Sequence, residues 1–221
     1  MFTLLLAGQV LSYDDLYFEI HIKDLNLILD KKLTKTKLEP FCKVYLYKNQ
    51  SKVEISSKNL KVEKILTKLC EEKMKIVFGP SLEDYLLNFE FNEKNNDYNV
   101  YLDKTGVSEI NEIWVNEQSN KLSIIEKRSI GTTRVSYTYK NKLIEKVEVS
   151  SFEGAQSIES KHQVIYGGEK NSTLPKEITS EYIQKLSKRD IGKFKRDFNE
   201  TVFFKNYKID KNVALNHFSK N

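Results

Sequence analysis

Apolar side chains recur at every second position through much of this chain, a spacing that places them on one face of an extended strand. Phe18, Ile20 and Ile22 alternate with Glu19 and His21, and Leu25, Leu27 and Leu29 repeat the pattern. Val44 and Leu46 pair with Val53 and Ile55 across a Lys48-Asn49-Gln50-Ser51 turn in a hairpin reading. From Tyr98 onward, strands are expected over residues 98–102, 110–115, 122–127, 134–139, 143–149, 161–166, 178–183 and 199–208. Polar turns such as Glu117-Gln118-Ser119-Asn120 and Lys140-Asn141-Lys142 join them. Connections this short favour antiparallel neighbours, because a parallel pair needs a long crossover.

Two segments break the alternation. Leu60, Ile65, Leu66 and Leu69 fall near helical spacing, which predicts a helix over residues 59–73. Ser81 with Asp84 three residues on resembles a capping box, and Leu82, Tyr85, Leu86 and Phe89 line one face of a second predicted helix. The sum is an α+β fold: a large antiparallel sheet with two or so helices inserted early, which must cover one face to hide it from water. No composition break marks a linker, so residues 13–221 read as a single domain. The polar stretch 186–193 reads as an exposed hairpin tip, and Gly167-Gly168 as a turn after a strand.

Residues 1–12, MFTLLLAGQVLS, carry no charge and end in small residues, the shape of a signal-peptide apolar region and cleavage site. No Lys or Arg precedes the run, so the segment is read as the remnant of a leader. The alternative is a buried first strand or short helix. Export would place Cys42 and Cys70 in an oxidising space, where a disulfide stabilises by ~3 kcal/mol in the chain-entropy account. Two separate buried thiols fit the sequence equally well.

Groups that do chemistry are scarce. With three His (His21, His162, His217) and two Cys, no cluster has the ligand spacing of a zinc site. Nucleophile elbow, phosphate loop and dinucleotide fingerprint are all missing from the sequence. His21 and His162 fall inside predicted strands and His217 near the end of the chain, where they read as surface or structurally satisfied residues. The adjacent carboxylates Asp14-Asp15 and Glu71-Glu72 point in different directions on any regular element and read as solvated groups. No enzyme activity, metal or cofactor is therefore expected. The net charge is +5, but both signs are mixed along the chain, the run near Lys31 reads as a solvated surface and acidic residues interrupt the run near Lys188, so no nucleic-acid partner is expected.

Three segments carry a family likeness. Ile113-Trp114-Val115-Asn116-Glu117 is followed at once by Lys121-Leu122-Ser123-Ile124-Ile125-Glu126; Leu174-Pro175-Lys176-Glu177-Ile178 comes later; and a run from Thr201 to Asp210 has Phe218 close behind it. Taken in order over residues 98–218, they resemble the periplasmic lipoprotein-carrier superfamily, the LolA-like and outer-membrane lipoprotein-sorting proteins. The insertion over 59–89 and the two cysteines depart from that pattern. The resemblance implies a strongly curved antiparallel half-barrel, its concave side closed by helices over an apolar cavity for acyl chains. Trp114, Ile124, Val135, Tyr137, Val147, Val149 and Tyr182 are the residues expected to line it, with plain core packing as the equal alternative. The expected function is an exported soluble carrier in the periplasm of a Gram-negative-type envelope. It would take acyl chains of lipids or lipoproteins from an inner-membrane donor to an outer-membrane acceptor, without catalysis. A hydrocarbon tail left in water costs ~0.8 kcal/mol per CH₂, which is why such a carrier needs an apolar face. The alternative function is an envelope protein-interaction or sensory module using the same sheet.

Overall fold

Short polar connections leave successive strands little choice but to fold back on one another, and the protein is built that way. The computed structural model describes residues 14–23, 41–48, 50–55, 60–78, 86, 89–106, 110–128, 131–140, 143–153, 156–168, 171–186 and 195–219. The strands are β1 (Asp15–Lys23), β2 (Phe41–Tyr47), β3 (Gln50–Ile55), β4 (Phe89–Asn95), β5 (Tyr98–Asp103) and β6 (Glu112–Asn116). They continue with β7 (Lys121–Arg128), β8 (Gly131–Lys140), β9 (Leu143–Glu153), β10 (Gln156–Gly168), β11 (Asn171–Leu186) and β12 (Lys195–Ile209). Among the described residues, the helices are α1 (Leu60–Val77) and α2 (Val213–Phe218), and Leu86 is also helical. The hydrogen-bonded order is β3-β2-β1-β12-β11-β10-β9-β8-β7-β6-β5-β4, so the α+β class and the large antiparallel sheet are as expected. Contacts group into two compact units, one of residues 1–79, 164–179 and 200–221 and one of residues 80–163 and 180–199.

In the first unit, the alternating Leu16, Phe18, Ile20 and Ile22 of β1 are buried. Register sets Leu16 beside Leu46, Phe18 beside Val44 and Ile20 beside Cys42 on β2, with Phe204 and Val202 of β12 on the other flank. Helix α1 buries Leu66, Cys70, Met74 and Val77, one stripe at helical spacing, and packs on β2 and β3. A disulfide between Cys42 and Cys70, with Cα atoms 6.6 Å apart, ties that helix to β2. Within this core, Lys73 of α1 and Glu200 of β12 form a fully buried ion pair. Burial pushes the Lys73 ammonium below its usual pKa, and the Glu200 carboxylate opposes that shift.

The short helix α2 packs on β1 and β2, with Ala214 against Tyr17 and Tyr45. Its first-turn amides are capped from the far end of the chain: Ala214 and Leu215 donate their N–H groups to the buried Asp15 carboxylate at 3.0 and 3.3 Å. A carboxylate there satisfies orphan donors and complements the helix dipole.

Strand β4 was not expected. The predicted helix beginning at Ser81 runs into it, for Phe89 is the first residue of a strand that turns at Asn96-Asp97 into β5, with Asn96 at φ 52°. Gly167-Gly168 also lies within β10 rather than in a turn beyond it. The expected leader over residues 1–12, the alternation at Leu25, Leu27 and Leu29, the capping segment 81–85 and the polar tip from Ser187 to Lys193 lie outside the described residues.

Candidate binding face

Directly opposed residues of an antiparallel ladder project to the same side, so the register of the second unit reveals which side chains share a face. Ile113, Ile124, Val135 and Val149 stand side by side across β6, β7, β8 and β9. Two residues along each strand, Val115, Leu122, Tyr137 and Val147 form a second row. A register shift between Thr138 and Tyr139 places the buried Ile144 opposite Tyr139. Val135 and Val149 are half-buried, and the other members of the two rows are buried. Burial pushes the Tyr137 phenol up to about 12, with a smaller contribution from the Glu126 carboxylate.

The opposite face of the same strands is mostly polar, although the buried Ile125 and the exposed Phe152 also lie on it. Trp114 lies opposite Ser123, which lies opposite Ser136, which lies opposite Glu148. Trp114 therefore does not join Ile124, Val135, Tyr137, Val147 and Val149; it is one residue out of phase and faces the other way. There its indole N–H donates to Glu112 at 2.8 Å, and the Arg134 guanidinium lies 5.5 Å from the ring centroid. Lys127 pairs with Glu112 as well. Burial would raise the Glu112 carboxyl, but hydrogen bonds from Lys127 and Trp114 outweigh it and hold the group below the usual carboxylate range.

Both apolar rows end on polar groups at β10. Val149 is opposite Ser160, and Val147 is opposite His162. The His162 ring shares hydrogen bonds of 2.9 Å with Ser160 at Nε2 and with Ser180 of β11 at Nδ1. Ser160, His162 and Ser180 are 7%, 4% and 1% exposed, so the trio is a buried polar cluster on the face that carries the two apolar rows, a face that also holds Glu126, Thr133 and Ser151. Tyr182 stands edge-on to His162 at 5.5 Å, which puts it on this face with five of the other residues expected to line a cavity. Sequence reading missed Ser160 and Ser180. The only local signal was spacing: Ser160 and His162 are two apart on a strand, as are Ser180 and Tyr182.

The other two histidines lie in the first unit. His21 shares a 2.9 Å hydrogen bond with Glu19, and His217 stacks on Tyr45 at 4.0 Å with Glu54 3.2 Å from its Nε2. Among the described residues, no group of three or more His, Cys, Asp or Glu is placed to hold a metal ion, and no helix is long and apolar enough to cross a membrane. No family model, curated protein or solved structure matches the chain.

Proposed function

We propose that this chain is an exported carrier that shelters the acyl chains of lipids or lipoproteins against the apolar face of its second unit, with no catalytic step. The observation that carries the reading is the asymmetry of β6 to β9, where two rows of aliphatic and aromatic side chains share one face while the opposite face is mostly polar. The likeness of residues 98–218 to the periplasmic lipoprotein carriers supports the same assignment. So does the Cys42–Cys70 disulfide, which suits an oxidising compartment such as the periplasm of a Gram-negative-type envelope. There the carrier would pass between an inner-membrane donor and an outer-membrane acceptor.

Titration of the purified chain with a fluorescent fatty-acyl probe tests this. Saturable binding of about one probe per chain is expected, displaced by a long-chain fatty acid. Val135→Lys and Val149→Lys, both at half-buried positions, are expected to weaken it several-fold, since each sets a charge on the apolar face. Absence of saturable binding by the folded chain overturns the proposal.

A further inference from the structure

We infer that the outer edge of β3 is where a second copy of this chain docks, the two β3 strands running antiparallel about a two-fold axis at Val53. This surface belongs to the first unit and is independent of the acyl-binding reading of the second.

The first reason is the backbone. β3 ends the hydrogen-bonded order, and among the described residues no strand lies beyond it. The tight turn at Lys48, where φ is 51°, sets Tyr47 opposite Gln50, Tyr45 opposite Lys52 and Lys43 opposite Glu54. In such a hairpin the pair flanking the turn exchanges its hydrogen bonds, and bonded and non-bonded pairs alternate from there. Gln50, Lys52 and Glu54 therefore direct their backbone groups at β2, while those of Ser51, Val53 and Ile55 point outward. Proteins commonly blunt such an edge with bulges and charges. Strand β4, at the far end of the order, does so with a register shift between Phe91 and Glu93 and with the exposed Glu90, Glu93 and Lys94. The β2–β3 register runs without a shift.

The second reason is charge. A guard of one sign repels a second copy in every register, whereas Lys52-Val53-Glu54 matches its own reverse. With the axis at Val53, each Lys52 faces the other copy's Glu54, Val53 faces Val53, and Ser51 faces Ile55, so the outward backbone groups of all three odd-numbered residues also find partners. Neighbouring registers fail: an axis at Lys52 sets lysine against lysine, and an axis at Glu54 sets glutamate against glutamate. Opposite charges directly across an antiparallel pair stabilise it and like charges destabilise it. Lys52 and Glu54 would meet at the non-hydrogen-bonded kind of pair, where side chains approach most closely. Within one copy they lie 3.6 Å apart with side chains 40% and 39% exposed, so both can be reached from outside. The contact is isologous, so each complementary pair occurs on both sides of the axis.

Sedimentation velocity of the full chain over a range of concentrations tests this, with Lys52→Glu, Glu54→Lys and Val53→Pro as variants. Wild type is expected to show a reversible monomer–dimer equilibrium that weakens as salt rises. Lys52→Glu and Glu54→Lys should each lower the association constant about tenfold, because each sets like charges across the axis. An equimolar mixture of the two should restore association, since an acidic edge then meets a basic one. Val53→Pro removes an N–H that β2 does not use and should abolish the dimer while leaving the far-UV circular dichroism unchanged. Should that variant fail to fold, the mixture decides the matter. A wild type that stays monomeric, or a dimer that neither charge variant weakens, overturns the inference. So does a mixture that associates no better than either variant alone.

Discussion

Glu19 shows how a single side chain acquires its energetics from partners both near and far in sequence. Tyr17 donates to it at 2.8 Å, His21 shares a 2.9 Å hydrogen bond with it, and Asn206 donates at 2.6 Å. Burial alone would raise its pKa, but these hydrogen bonds outweigh it and hold the carboxyl below the usual range. A depressed carboxylate contributes stability that is present above its unfolded value, near 4.5, and is lost as pH falls through the folded value. Glu19→Gln should therefore lower the urea midpoint at neutral pH, with the gap to wild type narrowing as pH falls below the unfolded value; a gap that stays constant on acidification contradicts the account. The Glu19-His21 spacing is visible in the sequence, whereas Asn206, on β12, is not predictable from it. Trp114 teaches the complementary lesson. Ile113, Trp114 and Val115 are consecutive and all apolar, so alternation is silent there about which of them faces the core. Only pairing with Ser123 settles it.

At the scale of elements, close strand approach makes Gly131 a steric requirement. A Cβ added there would lie 1.9 Å from the Phe152 carbonyl oxygen, inside the β8–β9 ladder. Gly131→Ala is expected to destabilise by about 1–3 kcal/mol, because backbone atoms must shift to admit the methyl group. A thermal melt unchanged from wild type would falsify that expectation. Helix α1 and the central strands were readable because each has a long, regular apolar pattern. Helix α2 was not, since six residues carry no period, and the cap that stabilises it comes from Asp15, roughly the whole chain away. Strand β4 offered only Phe89 and Phe91 flanking a glutamate, too short a pattern to oppose the helical reading upstream.

At the scale of the whole molecule, the two units carry different reporters. The disulfide belongs to the first unit and the sole tryptophan, Trp114, to the second. Reduction of Cys42–Cys70 releases the loop constraint on α1 and β2 and should cost ~3 kcal/mol. The far-UV circular dichroism transition in urea should then move to lower denaturant by more than the Trp114 fluorescence transition does. Equal displacement of both signals would show that the two cores unfold as one.

What the sequence determined unaided is local: extended segments with one apolar side, turns too short for crossovers, one amphipathic helix, and hence an antiparallel α+β protein. Those properties follow from backbone periodicity and loop length, which need no knowledge of distant residues. Tertiary structure alone decided that β1 pairs with β12, that Trp114 lies opposite the apolar rows, and that Ser160, His162 and Ser180 meet at their end. Strand pairing and the choice of inward face depend on the apolar area the assembled sheet removes from water, and no single segment contains that quantity.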